Sequence, residues 1–167
     1  RKPVVKQHNN FIVFRDSFVF IVFSPQGTVN ITGIRNLFDI SRAVSTFSNL
    51  FNIPLALLSN PVIDNITATG TFNTLIDLQS LKRLINTPEE NNGSIYSSAS
   101  FNASYFPAAF CKTFSIGTIS IFGSGKYNII GAKCHDDVQT LYQAMSVHIS
   151  QLLTTIEMDN QSVVIAD

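Results

Sequence analysis

A glycine-rich stretch that ends in lysine has residue types and spacing that suggest phosphate binding. Residues 121–133 read IFGSGKYNIIGAK, with Gly123 and Gly125 close to Lys126 as in a loop around a nucleotide phosphate. A Walker loop, however, has the spacing GxxxxGK[ST], and here Tyr127 stands where the Mg²⁺-binding hydroxyl belongs. A predicted strand follows the lysine, so no helix N-terminus would face a phosphate. The stretch therefore predicts a tight hairpin turn with a solvated lysine.

The other reactive side chains form no catalytic or metal-binding pattern. Asp136-Asp137 is explained by the favourable position of acidic charge at a helix start. Cys111 and Cys134 are too few for a disulfide framework or a zinc site, and we expect both to be buried free thiols, with a bridge as the alternative. The histidines have no acidic or cysteine partner at metal-ligand spacing: His8, His135 and His148. We therefore expect no enzyme activity, no metal and no cofactor.

The composition is that of a globular chain without a dominant charge. With 167 residues, 45% of them hydrophobic and 14 of them Phe, the chain is large enough to bury a core as one domain or two fused half-domains. Eleven basic and eleven acidic residues cancel, which argues against a strong nonspecific nucleic-acid binder but permits a local basic patch. No apolar run reaches the roughly 18 residues needed to cross a bilayer, so we expect no membrane partner.

Hydrophobic periodicity predicts the order β-β-β-α and then β-α-β-β-β-α. Six strands are predicted from period-two or β-branched runs: 11–14, 18–23, 28–32, 106–114, 117–122 and 126–130. An alternating seventh strand is predicted over 62–72, and helices over 36–51, 74–86 and 135–153. Residues 88–104 are polar and small and predict a loop or insertion, and the tail contains SVVI as a candidate extra strand.

The chain contains an internal repeat. Gly27 aligns with Gly125 at an offset of 98 residues, and Asn30 then meets Asn128. Phe23 and Phe122 end the strand before the turn in each copy, which gives the first copy one extra residue in its turn. A helix-period segment follows in both copies. The repeat predicts a pseudo-symmetric pair of half-domains.

Four motifs in the second copy resemble the TATA-box-binding protein family. The family repeats I-F-x-S-G-K-x-x-x-T-G-A-K in two halves, to which the stretch from Ile121 is similar. Asp64-Asn65-Ile66 resembles its opening strand, TLIDLQSL from Thr74 its first helix, and FNASYFPAAFCK from Phe101 its Phe-Pro strand. The resemblance divides the chain into a partial first half (1–58), a complete second half (59–154) and a tail (155–167).

The resemblance implies an α+β saddle, in which two pseudo-symmetric halves form a curved antiparallel sheet with helices on the convex side. In the family the concave face binds the DNA minor groove, and phenylalanines wedge between base steps and kink the duplex. The motif positions imply three wedges: Phe23, Phe106 and Phe122. They also imply contacts to the minor groove from five residues: Asn30, Thr32, Asn65, Asn128 and Ile130. Two basic residues are implied to contact the DNA as well: Lys112 and Lys126. Each has a plain alternative as a core phenylalanine, a turn or edge asparagine, or a solvated charge.

Several positions depart from the family pattern. The second wedge of the first half is expected near Asn9, and no aromatic residue stands at that position. Thr28 replaces the turn lysine, Ile130 replaces a threonine, and Asn30 and Asn128 replace valines. The opening strand, helix and groove asparagine of the first half are missing unless they lie upstream.

Three functions follow as hypotheses. The first is a TBP-like transcription initiation factor that binds promoter DNA such as a TATA box, with other initiation factors or RNA polymerase subunits as partners. The Asn- and Ile-rich composition fits an AT-rich genome, such as that of a large DNA virus or a divergent eukaryote. The factor would therefore act in the nucleus or, if viral, in a viral transcription compartment. The alternative is a protein-docking module of the same fold that does not bind DNA on its own. The third is an accessory domain of a nucleic-acid enzyme.

Overall fold

The fold is α+β, as predicted, and its contacts divide the chain into two compact units. The computed structural model describes residues 4–8, 11–15, 19–88 and 93–164. The first unit is Arg1–Val62 and the second is Ile63–Asp167. Each unit contains one antiparallel sheet, and the described residues form three α-helices in all.

The first unit contains a four-stranded sheet whose strands lie side by side in chain order. The strands are β1 (Val4–His8), β2 (Phe11–Arg15), β3 (Phe20–Phe23) and β4 (Val29–Thr32). Helix α1 (Asp39–Phe51) and a short 3-10 helix (Leu55–Leu57) follow. The sequence predicted three strands here and missed β1, because VVKQH is short and lacks a clear period-two pattern.

The core of the first unit lies between the sheet and α1. Phe14 and Ile21 lie opposite each other on neighbouring strands and are buried with Ala43 and Phe47 of the helix. The helix ends at Asn52, which adopts a left-handed conformation (φ 51°) that asparagine tolerates better than most residues. One face of this sheet is therefore covered by a helix.

The second unit contains a five-stranded sheet and two helices. Its elements are β5 (Ile66–Thr71), α2 (Leu78–Asn86), β6 (Tyr96–Asn102), β7 (Phe106–Thr113), β8 (Thr118–Phe122), β9 (Lys126–Ala132) and α3 (His135–Val164). The strand order is β5-β9-β8-β7-β6. The predicted loop at 88–104 is wrong over β6, and the predicted SVVI strand is wrong because α3 continues through Val164.

Helices α2 and α3 cover one face of the five-stranded sheet. Leu81 and Ile85 of α2 and Leu141 and Met145 of α3 are fully or almost fully buried. They pack on the strand residues of the same cluster, which include Ile119, Ile121 and Ile129. In the described part of the chain, no helix is both long and apolar enough to cross a membrane.

Acidic side chains begin both helices of the second unit. The Asp77 carboxylate accepts the Gln79 N–H at 2.9 Å as the N-cap of α2. The Asp137 carboxylate accepts the N–H groups of Lys133 and Cys134 at 2.8 and 3.2 Å. Backbone hydrogen bonding, chiefly from Lys133, lowers the pKa of Asp137. Asp137 therefore serves the helix start, as the sequence predicted.

The internal repeat is confirmed by equivalent hairpin turns. Gly27 and Gly125 have positive φ angles of 86° and 82°, the conformation that such a turn requires and glycine supplies. The Gly27 N–H donates to the Ser24 carbonyl at 3.0 Å, and the Gly125 N–H donates to the Phe122 carbonyl at 2.9 Å. Ser24, and not Phe23, is therefore the structural equivalent of Phe122.

Strand register gives the same correspondence. Phe23 lies opposite Val29 in the first hairpin, and Ile121 lies opposite Tyr127 in the second. Val29 and Tyr127 each follow the turn glycine by two residues, so Phe23 corresponds to Ile121. The predicted extra residue in the first turn is wrong, because the two hairpins have the same length between equivalent pairs.

Candidate nucleic-acid interface

Each sheet has a face opposite its helices, which we call the open face. Successive side chains of a strand alternate between the two faces, so the core residues fix which residues lie on the open face. Seven predicted site residues lie there in the second unit: Asn65, Phe106, Lys112, Phe122, Lys126, Asn128 and Ile130. Asn30 and Thr32 lie on the open face of the first unit.

Three aromatic rings cluster at one end of the second unit's open face. Phe106 begins β7 and is 45% exposed, whereas Phe122 ends β8 and is half-buried. Their ring centroids are 6.0 Å apart, and the Phe110 ring lies 5.4 Å from that of Phe106. Ala108, opposite Phe122 in the neighbouring strand, is buried on this face. The two predicted wedges of this unit therefore form one partly exposed aromatic group.

Six of the nine side chains in the middle of the same face are hydroxyls or carboxamides, and the other three are Phe110, Ile130 and Lys112. One row across the sheet pairs Thr69, Asn128, Ser120, Phe110 and Ser100 in successive strands. A second row consists of Ile130, Thr118, Lys112 and Ser98. Hydroxyls and carboxamides both donate and accept hydrogen bonds, and the minor groove presents acceptors at every base pair. Short side chains also permit close approach of a ligand to the sheet.

Asn65 has a structural role as well as an open-face position. Its Oδ1 accepts the Gly131 N–H at 2.6 Å, beside an irregularity in the pairing of β5 with β9. Its Nδ2 donates to the Thr67 hydroxyl at 3.3 Å, which places the carboxamide on the open-face side. The Nδ2 group has a second hydrogen that can be donated to a ligand.

Charge is distributed unevenly between the strands and the rest of the chain. None of the nine described strands contains Asp or Glu. Four basic residues do occur in them, all exposed and all on open faces: Lys6, Arg15, Lys112 and Lys126. Although the net charge of the chain is zero, the described strands therefore carry formal charges of positive sign only.

The predicted open-face position of Phe23 is wrong. Its ring packs against Phe47 and Phe51 of α1, with centroid distances of 5.4 and 5.5 Å. Phe23 lies on the same face of β3 as Ile21, two residues earlier, and Ile21 is buried on the face that α1 covers. It therefore belongs to the core cluster of the first unit, which removes it from the candidate interface.

The glycine-rich turn is a packing element. A Cβ on Gly125 would collide with the backbone of Thr74, which passes directly beside it. The Gly123 and Gly125 carbonyls accept the N–H groups of Ile76 and Phe72 at 3.0 and 2.9 Å. The glycines thus let the turn fit against the segment before α2, in agreement with the hairpin interpretation.

The cysteines differ in environment, and one prediction about them is wrong. Cys111 is buried, and burial raises the pKa of its thiol to about 12. Cys134 is exposed, because it lies just before the first turn of α3. Both are free thiols. Among the residues that the structure describes, no three His, Cys, Asp or Glu side chains are grouped to hold a metal ion.

Several open-face residues were not predicted as site residues. Exposed Thr67, Thr69 and Thr71 alternate with half-buried residues along β5, and this alternation was a usable signal. Ser98 and Ser100 were missed because β6 was predicted to be a loop. The prediction for Asn9 lies outside the described residues.

The family model of transcription factor TFIID, or TATA-binding protein (TBP), matches residues 60–152, more than half of the chain. The chain belongs to the TATA-binding protein family. The family is one of transcription factors.

A solved structure supports the TBP fold beyond the matched half. Methanococcus jannaschii TBP resembles this chain with a TM-score of 0.69 and 20% sequence identity. The likeness covers 88% of this chain and 83% of that chain. At this identity it establishes the fold. A comparison with curated protein sequences finds no match.

Proposed function

We propose that this protein is a TBP-like transcription initiation factor that binds promoter DNA in the minor groove through its open faces. In this proposal Phe106 and Phe122 unstack a base step, and the hydroxyl and carboxamide rows contact base edges and sugars. Its partners are other initiation factors or RNA polymerase subunits, and it acts in the nucleus or in a viral transcription compartment.

The observation that carries the proposal is the composition of the second unit's open face. It combines an aromatic group at one end, small polar side chains in the middle and no acidic residue in any described strand. A shallow, widened minor groove needs apolar wedges and short side chains, and its flanking phosphates repel carboxylates. The sheet offers these properties together, despite the neutral net charge of the chain.

A double substitution tests the proposal. Burying one Phe side chain is worth about 1.5–3 kcal/mol, so Phe106→Ala/Phe122→Ala should weaken binding to an AT-rich duplex on the order of a hundredfold. Bending, measured by energy transfer between dyes at the duplex ends, should be lost. Phe114→Ala is the matched control, because Phe114 is 91% exposed and lies in the β7–β8 connection.

Two results would count against the wedge role. One is a double variant that binds and bends DNA like the parent protein. The other is a double variant that melts far earlier, which would mean that the rings support the core instead. Failure of the parent protein to bind any duplex would remove DNA binding altogether.

A protein-docking module is the second candidate, favoured by the open face of the first unit. Phe11 and Phe20 are 44% and 37% exposed there, and Val13 and Val22 lie between them on β2 and β3. Such a face resembles the apolar centre of a protein interface. Under this candidate, Phe11→Ala/Phe20→Ala would abolish co-purification with purified RNA polymerase and initiation factors, and the parent protein would not shift DNA by itself.

A further inference from the structure

Building on the proposed function, we infer that the second unit alone inserts aromatic side chains into DNA, so that one base step is unstacked instead of two. Among the residues that the structure describes, the two units share a backbone repeat, but only the second unit has the aromatic group. The complex with DNA is therefore asymmetric, and the protein binds in one preferred orientation.

In the second unit, the aromatic group is built for insertion. Phe106 and Phe122 lie at the same end of the sheet, where the β6–β7 and β8–β9 turns are. Phe110 lies further along β7 on the same open face and packs against Phe106, with ring centroids 5.4 Å apart. Tyr105, which immediately precedes Phe106, is 88% exposed at the tip of the turn. The ring of Phe106 is thus supported on one side and exposed on the other.

The equivalent position in the first unit is occupied by Ser24. Its hydroxyl accepts the Thr28 N–H at 3.1 Å and its backbone N–H donates to the Thr28 carbonyl at 2.9 Å. Both hydrogen bonds of Ser24 therefore stabilise the β3–β4 turn, and its side chain is too short to enter a base stack. The repeat places Asn9 at the position of Phe106, and this residue lies outside the described residues.

The two exposed phenylalanines in the described strands of the first unit, Phe11 and Phe20, do not replace the missing group. Phe11 lies opposite His8, whereas Phe20 lies opposite Arg15, at the other end of β2. By the repeat, Phe11 stands at the position of Ala108 and Phe20 at that of Thr118. They are therefore separated along the sheet and do not form a pair at the turn end.

This asymmetry has an energetic consequence for the DNA. Unstacking a base step costs a few kcal/mol, and the cost is lowest at flexible pyrimidine–purine steps. A protein with one aromatic group needs one such step in its site, on the side that the second unit contacts. The position of that step would then set the direction in which the protein faces along the promoter.

Permanganate oxidation tests the inference, because it attacks thymines that are unstacked. The probe is a duplex recovered by gel shift from a random AT-rich pool, bound by the protein and then oxidised. We expect one cluster of reactive thymines, absent in the Phe106→Ala/Phe122→Ala complex at saturating protein. The cluster should persist in the Phe11→Ala/Phe20→Ala complex.

Orientation is measured in the same complex by energy transfer from a dye on Cys134, the exposed thiol, to a dye on either duplex end. We expect unequal transfer from the two ends, with the reactive thymines on the nearer side. Two separated clusters, no cluster, or equal transfer would overturn the inference and leave DNA binding intact. Failure to recover any bound duplex would instead overturn the proposed function, and the inference with it.

Discussion

The Asn65 Oδ1 lies 2.6 Å from the Gly131 nitrogen and so joins two residues that are 66 positions apart in the chain. This bond supplies an acceptor for the Gly131 N–H where the β5–β9 pairing is irregular. The same carboxamide points its Nδ2 toward the open face, beside Thr67. Asn65 therefore links the stability of the sheet edge to the surface that we propose for DNA.

Two substitutions at Asn65 separate its two roles. Asn65→Ala removes the acceptor and should lower the free energy of unfolding by about 1–2 kcal/mol, as expected for an unmade hydrogen bond. Asn65→Asp keeps an acceptor for Gly131 but removes the amide donor and adds a negative charge, so it should retain stability and lose DNA affinity. Chemical denaturation and gel shifts check both. Equal DNA affinity in the parent and the Asp variant would contradict a groove contact.

Phe23 and Phe106 should respond oppositely to truncation. Phe23→Ala removes a ring packed on Phe47 and Phe51, and should destabilise the protein by about 2–4 kcal/mol, somewhat below the value for a fully buried Phe. Phe106→Ala removes a ring that is 45% exposed and should cost about 1 kcal/mol or less. Thermal unfolding of the two variants measures the difference. Equal losses would contradict the assignment of Phe23 to the core face.

The two thiols should react at very different rates. Cys134 is exposed, whereas Cys111 is buried with a pKa raised to about 12, and the thiolate is the reactive form. A disulfide reagent should therefore modify one thiol in the native protein and two in denaturant at pH 8. Cys134→Ser should abolish the native reaction, whereas Cys111→Ser should leave it unchanged. Rapid native modification of both thiols would contradict the burial of Cys111.

Stability should fall as the pH drops below about 6.5, partly because of His148. Burial lowers the pKa of His148, whose ring nitrogens lie 2.8 Å from the Ser94 hydroxyl and 3.2 Å from the Gln151 carboxamide oxygen. The unfolded chain takes up a proton near the ordinary histidine value of 6.5, whereas the folded protein does so only at lower pH. The stability that neutral His148 contributes is thus fully present above pH 6.5 and is lost as the pH falls through the lower pKa of the folded protein.

Thermal melts at pH 7.5 and 5.5 check this pH dependence. His148→Gln should flatten the change in melting temperature between the two values. His135→Gln is the matched control for the substitution itself, since His135 is exposed at the start of α3. An identical pH profile for His148→Gln and the parent protein would contradict the assignment.

Salt should weaken DNA binding less steeply than in a protein that contacts six or more phosphates. The strands offer four basic residues on the open faces, and each neutralised phosphate contributes about −0.9 to the slope of log K against log salt. We expect a slope no steeper than about −4. Gel shifts at 50–300 mM salt provide the measurement, with Lys112→Ala and Lys126→Ala each reducing the slope by about one. A slope that requires six or more phosphates would contradict the proposed surface.

The sequence by itself determined the repeated unit and most of its elements. Period-two and helical patterns identified seven of the nine described strands, all except β1 and β6, and the positions of the three described α-helices, because burial on one face imposes those periods. The glycines Gly27 and Gly125 marked equivalent turns, since few other residues adopt their φ angles. The motifs in residues 62–153 pointed to the family that the comparison shows.

Tertiary structure alone decided which face each side chain occupies. Phe23 and Phe122 look equivalent in sequence, yet a shift of one residue between them places one ring on α1 and the other on the open face. Strand β6 was hidden because serines give no apolar period, although its backbone pairs with β7. The exclusion of acidic residues from the sheets became visible only once strands and helices were located. Register and burial depend on contacts between distant segments, which local patterns do not encode.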